Sequence, residues 1–321
     1  MSYAQPTRAA EPLGRLRAVL IATLFALAVV AWFVTDDRMG GMDAGPGTDP
    51  GTLGFYVSAW VVMMAAMMFP SIVPMVLAYA RIQKTRRARG QVGAGTTSVF
   101  VAGYLVSWTL FGLAAYGLVE LVRSFSIDAL SWDRGGPYLA GGVIVAAAVY
   151  QLTPAKDACL TRCRTPLDFV LGYWHEGYVG ALRMGVAHGA WCVGCCWALM
   201  AALFALGVMS IGWMVFVAGL IAIEKLAPWK ALANRVIAVG LAVLGVAVAF
   251  FPEHVPGLTL PGSPEANAAM MRMNGSDMKS MPKTAPATKG SAMPGMTKKS
   301  SGMGKKKSSS MDDMNGSSGQ K

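Results

Sequence analysis

The chain has 321 residues, of which 54% are hydrophobic and only 14% are charged, with a formal net charge of +11. That balance excludes an ordinary soluble domain, in which about 25% of residues are charged. Nor does the positive charge require a nucleic acid partner: Lys and Arg cluster in short loops between apolar runs, and the last 70 residues hold ten of the 28.

A hydrocarbon core of ~30 Å needs about 20 helical residues to cross it, so long apolar runs read as membrane spans. Seven such runs occur, at 17–34, 56–79, 99–121, 137–153, 181–206, 210–226 and 233–251. They define an all-α, polytopic transmembrane helical bundle over 17–251, after a short N-terminal segment 1–16. The first run follows Arg8, Arg15 and Arg17, as a signal peptide would. Thr35-Asp36-Asp37-Arg38 comes next instead of a small-residue cleavage site, so the run reads as a retained helix. The outer loop beyond it offers Met39 and Met42 beside Asp36, Asp37 and Asp43.

The second run carries Met63, Met64, Met67 and Met68, then Met75, with Pro70 and Pro74 between. Methionine is a common apolar filler. Thioethers are also soft ligands that select Cu(I), and the two prolines free backbone carbonyls nearby. Met64, Met67 and Met68 are therefore candidate ligands. After the fourth run, Cys159-Leu-Thr-Arg-Cys163 places two cysteines one helical turn apart among Lys156, Arg162 and Arg164. On a reducing, cytoplasmic side such a pair suits a metal relay or a redox couple better than a structural disulfide.

The fifth run contains His188-Gly-Ala-Trp-Cys192-Val-Gly-Cys195-Cys196-Trp197. His188, Cys192, Cys195 and Cys196 stand at i, i+4, i+7 and i+8 and share one helix face. Cysteine does pack well as a small apolar residue. Three cysteines and a histidine in nine residues, from a chain with five Cys and three His, point instead to a soft metal site for Cu(I) or Zn(II). The axial rise from His188 to Cys196 is about 12 Å, so one ion cannot take all four. A second helix must complete the site, with span 2 as the expected contributor, and Gly185, Gly189 and Gly194 would admit a neighbour closely. Glu224, at the inner end of the sixth run, is expected to pair with Lys225 or Lys230.

Beyond Phe251-Pro252 the composition changes. Residues 252–321 contain no Phe, Trp, Tyr or Cys and read as a disordered tail rich in Met, Lys and Ser. Met278/Met281, Met293/Met296 and Met311/Met314 repeat a short unit, and Met270, Met271 and Met273 form another cluster. Such a tail suits Cu(I) capture, although a merely solvated tail has a similar composition.

Basic residues favour alternate loops at every crossing, which sets the N-terminus inside and the C-terminus outside. Nucleophile elbows, phosphate loops, dinucleotide fingerprints and protease zinc motifs are all missing, so transport or trafficking fits better than catalysis.

Several ordered motifs resemble one family of bacterial inner-membrane proteins, described as predicted metal-binding integral membrane proteins. They are Trp60-x-x-Met63-Met64-Ala-Ala-Met67-Met68-x-Pro70-x-x-x-Pro74, Gly103-Tyr104, Tyr150-Gln151-x-x-Pro154-x-Lys156-x-x-Cys159-Leu160-x-x-Cys163-Arg164-x-Pro166, Gly185-x-x-His188-Gly189-x-x-Cys192-x-Gly194-Cys195-Cys196-Trp197-x-Leu199-Met200, and Glu224-Lys225. The resemblance covers roughly residues 55–230 and implies metal binding in the bacterial plasma membrane, with no reaction attached.

Together these readings give a membrane protein that binds Cu(I), with zinc as the alternative ion, and moves it or passes it to a metallochaperone or copper enzyme. On this reading the ligands form a ladder, with Cys159 and Cys163 at the inner end. A transmembrane thiol–disulfide oxidoreductase and an assembly factor for a copper enzyme are the alternatives.

Overall fold

A computed structural model describes residues 11–46, 49, 51–88, 95–125, 132 and 134–280. All regular structure among them is helical: α1 (Glu11–Met39), α2 (Leu53–Ala88), α3 (Thr96–Ser124), α4 (Gly136–Gln151), α5 (Pro154–Arg164), α6 (Pro166–Gly172), α7 (Gly177–Leu206), α8 (Ile211–Leu226), α9 (Lys230–Phe250) and α10 (Pro264–Ser280). Each of the seven apolar runs falls largely on one helix, though α4 and α8 have only 16 residues each. Five helices are long and apolar enough to cross a membrane, or six if the bent pair α4–α5 counts as one span. The sixth run becomes α8, whose 16 residues fall short of that length.

The outward faces of α1, α3 and α9 expose Phe25, Phe33, Leu110, Leu118, Val239 and Val243. An exposed apolar surface of this extent is suited to lipid rather than to water. The core, by contrast, is rich in aromatics and sulfur. Met63, Met64, Met67, Met68 and Met75 of α2 are all buried. Trp60 Nε1 donates to the Trp108 carbonyl at 2.8 Å, tying α2 to α3.

Two local features position α5 and α7. Proline disfavours helical backbone at the residue before it, and Thr153, ahead of Pro154, is extended at φ −79° and ψ 147°. Helix α4 therefore ends, and Thr153 restarts the chain as the N-cap of α5, accepting from Lys156 N–H. The two axes differ by 66°, which turns α5 back across the bundle toward α7.

The second feature is the close approach of α3 to α7. A Cβ at Gly185 would strike the Phe100 carbonyl, and one at Gly189 would lie 2.7 Å from Ser107. Ser107 Oγ donates to the Val186 carbonyl at 2.8 Å across the same seam. The expected helix partner at Gly185 and Gly189 is thus α3. Gly185→Ala should destabilise the protein by about 1–3 kcal/mol through overpacking, read as a lower melting temperature in detergent.

The first part of the segment expected to be a disordered tail carries structure. Pro252–His254 form a single 3-10 turn and Pro264–Ser280 form α10. This region folds onto the loop after α1: Thr259 Oγ1 donates to Asp43 at 3.0 Å, and Ala266 and Ala269 pack with Ala44. Its backbone thus finds partners that its own composition did not announce. The methionine repeats at 281–321 lie outside the described residues.

Candidate metal centre

Helix α7 presents Cys192, Cys195 and Cys196 inward, each no more than 1% exposed. Their sulfurs all lie within 4.8 Å of one another. Cys192 and Cys196 are 4.0 Å apart and Cys195 and Cys196 3.9 Å. A fourth sulfur joins from α5, since Cys163 Sγ lies 3.8 Å from Cys195 Sγ. A metal–thiolate bond is about 2.3 Å. Sulfurs around one ion then stand about 4.0 Å apart in a trigonal arrangement and about 3.8 Å apart in a tetrahedral one. These three separations fall in that range, and Cys192 and Cys195 lie within 4.8 Å of each other, so the three α7 sulfurs would draw together by less than an ångström to share one ion. All five cysteines are free thiols. The Cys195 and Cys196 thiols both donate to the Cys192 carbonyl, at 3.1 and 2.8 Å. These bonds satisfy the sulfurs without metal and would yield to it.

Three other helices surround Cys192. Tyr104 of α3 places its hydroxyl 3.1 Å from Cys192 Sγ. Lys225 of α8 brings its ammonium to 2.9 Å of the same sulfur, and donates to Ser71 of α2 at 3.2 Å. A buried cation against a sulfur supplies the counter-charge that a thiolate needs away from water. Glu224 does not form the expected ion pair with Lys225, and the Lys230 side chain lies outside the described residues. It accepts from Lys156 at 2.7 Å, with both side chains at most 2% exposed. Lys225 is thereby released to face sulfur. Arg164 adds bonds to the carbonyls of Glu224 and Ala227. Polar bonds thus join α5 to the end of α8, where Cys163 and Lys225 are also carried.

The remaining ligand candidates are placed as follows. His188 lies one turn before Cys192 and is not a member of the mutual sulfur group. Its buried ring packs among Phe100, Tyr104 and Phe169 at 5.2–6.1 Å between centroids. Its Nδ1 has no hydrogen-bond partner among the described residues, which leaves it a donor or acceptor inside the protein. Met64, Met67 and Met68 are core residues of α2, which reaches the cluster through Ser71; that hydroxyl donates to the Met68 carbonyl at 2.8 Å. Cys159 does not stand at a distant inner station with Cys163. It lies against Gly194 of α7, beside the cluster.

Sequence reasoning missed Lys225 and Tyr104. Lys225 left a trace, as a lysine in the last turn of a helix of high apolarity. Tyr104 stood in the Gly103-Tyr104 motif of the family resemblance, but nothing in the sequence set it beside a cysteine.

The model of a family described as "PpoB2: Copper chaperone" matches residues 57–248. No curated protein and no solved structure matches the chain. The matched segment contains every cysteine, together with Tyr104, Lys156, His188, Glu224 and Lys225. The family description and the cysteine cluster together point to copper handling.

Proposed function

The chain belongs to the PpoB2 copper chaperone family, and on that premise we propose that it is a multi-pass membrane protein that holds Cu(I) on Cys192, Cys195 and Cys196 and delivers it to a copper-requiring partner. The observation that carries this reading is the spacing of 3.8–4.0 Å between successive sulfurs from Cys163 to Cys192, which suits metal–thiolate bonds. Thiolates are soft donors that favour Cu(I) over harder cations.

Charge supports the same assignment. One Cu(I) on Cys192, Cys195 and Cys196, with one of the three kept as a neutral thiol, carries a net charge of −1, and the ammonium of Lys225 beside Cys192 brings the buried ensemble to zero. A buried assembly without net charge avoids most of the desolvation cost of an unpaired ion.

We assign His188 and Met64, Met67 and Met68 as further soft donors above or beside this centre, which hold the ion in passage. The N-terminus lies in the cytoplasm of a bacterial cell and the C-terminal segment outside its plasma membrane, where the tail methionines collect copper. Anaerobic titration of the purified full chain with Cu(I) tests the reading. It predicts saturation and a thiolate-to-copper absorption band in the near ultraviolet, and protein that takes up no copper would refute it. The thiol–disulfide alternative centres on Cys163 and Cys195, which come from separate helices. Thiol trapping from cells separates the two readings, because a copper centre leaves both cysteines reduced.

A further inference from the structure

We propose that Cys159 is the exchange ligand of this centre: a rim thiol that replaces Cys195 on the Cu(I) ion and presents it to an acceptor, in a notch kept open by Gly194. The inference rests on the copper-holding reading and adds the route by which the ion leaves.

Four observations place it there. First, burial is graded. Cys192, Cys195 and Cys196 are sealed inside, whereas Cys159 and Cys163 are only half-buried. An acceptor cannot touch a sealed ion, so release needs a sulfur that is reached from both sides. Second, Cys159 stands one helical turn from Cys163 on α5, and Cys163 touches Cys195 at 3.8 Å. Third, Cys159 Sγ lies against the backbone of Gly194, the residue that precedes Cys195. A Cβ there would come within 2.9 Å of the sulfur, closer than such contacts are found. Glycine at 194 therefore lets Cys159 approach the cluster, and a larger residue would force it away. Fourth, Asp157, Thr161 and Arg162 on the outer side of α5 are exposed, so the rim is polar and open. The Arg162 guanidinium lies 4.3 Å over the Trp191 ring and fixes one margin of that opening.

The step is an associative ligand exchange in which copper remains Cu(I). The Cys159 thiol loses its proton to water and its thiolate bonds the ion. The bond from copper to Cys195 breaks, and the Cys195 thiolate takes up a proton. An acceptor then replaces Cys159 and the remaining α7 sulfurs one at a time: each incoming thiol loses its proton to water, each sulfur it displaces takes one up, and a donor without a proton leaves the freed thiolate to take one from water. Protons and charge balance at each exchange, and no oxidant or reductant is needed.

The test uses full-length protein loaded anaerobically with Cu(I) and mixed with excess bathocuproine disulfonate, a coloured Cu(I) chelator that serves as acceptor. Cys159→Ser should bind as much copper as the wild type and release it about tenfold more slowly or worse, equivalent to about 1.4 kcal/mol on the barrier. Cys159→Ala should behave in the same way. Gly194→Ala should also slow release while copper is retained. Release at the wild-type rate from both Cys159 variants would overturn the inference. So would loss of bound copper in them, which would make Cys159 a holding ligand. Wild-type protein that binds no copper would defeat the underlying reading, an outcome visible before any rate is measured.

Discussion

Replacing Cys192 with serine is expected to abolish tight copper binding, with affinity falling at least about 100-fold, or roughly 2.7 kcal/mol. Cys192 is the hub of the centre. It faces Cys196 at 4.0 Å, Tyr104 at 3.1 Å and Lys225 at 2.9 Å. Serine removes the soft donor but keeps the volume and a hydrogen-bonding atom, so the helix seam should survive. Lys225 would then face a neutral hydroxyl, and a modest loss of stability should accompany the loss of copper. Cys163→Ser should be milder, because that sulfur comes from α5 and is less buried than the three on α7. Competition against a chelator of known Cu(I) affinity measures both variants. Equal weakening by the two would mean that the ion sits at the α5–α7 edge and not at Cys192.

The second large effect concerns stability. Lys156→Met leaves the Glu224 carboxylate buried without its cation, and loss of one partner of a buried pair costs about 3–5 kcal/mol. The pair is sealed, with both side chains at most 2% exposed, so solvent cannot screen the loss. Glu224→Gln should destabilise in the same direction. The double variant Lys156→Met/Glu224→Met should recover much of the loss, since an apolar pair of similar volume often substitutes well. Thermal unfolding in detergent reads all three. Melting of Lys156→Met at the wild-type temperature would show that the pair contributes nothing. The α5–α8 contact also holds Cys163 and Lys225 beside Cys195 and Cys192, so the single variants should lose copper capacity as well as stability.

The ligand face of α7 was legible because helical spacing alone aligns residues 188, 192, 195 and 196. The limit on a single four-ligand ion was equally legible from the rise of the helix, and His188 indeed stands outside the sulfur group. The helix that completes the cluster was not. Depth in the membrane suggested α2 and its methionines, whereas the 66° bend at Thr153-Pro154 carries α5 inward and delivers Cys163. A sequence shows that proline ends a helix, but not the direction of the next one. The same bend sets Cys163 directly beside Cys195, where the expected ladder puts Cys159 and Cys163 at its inner end. The partner of Glu224 was hidden for a related reason. Lys156 is 68 positions away and looked like one of several loop cations, yet burial selects it, and its choice frees Lys225 for Cys192. Helix α10 escaped notice because its own composition is polar and its partners lie in the loop after α1, more than 200 positions earlier.

X-ray absorption at the copper edge of the Cu(I)-loaded full chain tests the central claim most directly. Copper bound by Cys192, Cys195 and Cys196 predicts a Cu(I) edge with two or three sulfur neighbours near the ~2.3 Å of metal–thiolate bonds, lost in Cys192→Ser. Coordination dominated by nitrogen or oxygen, or a spectrum unchanged by Cys192→Ser, would contradict it.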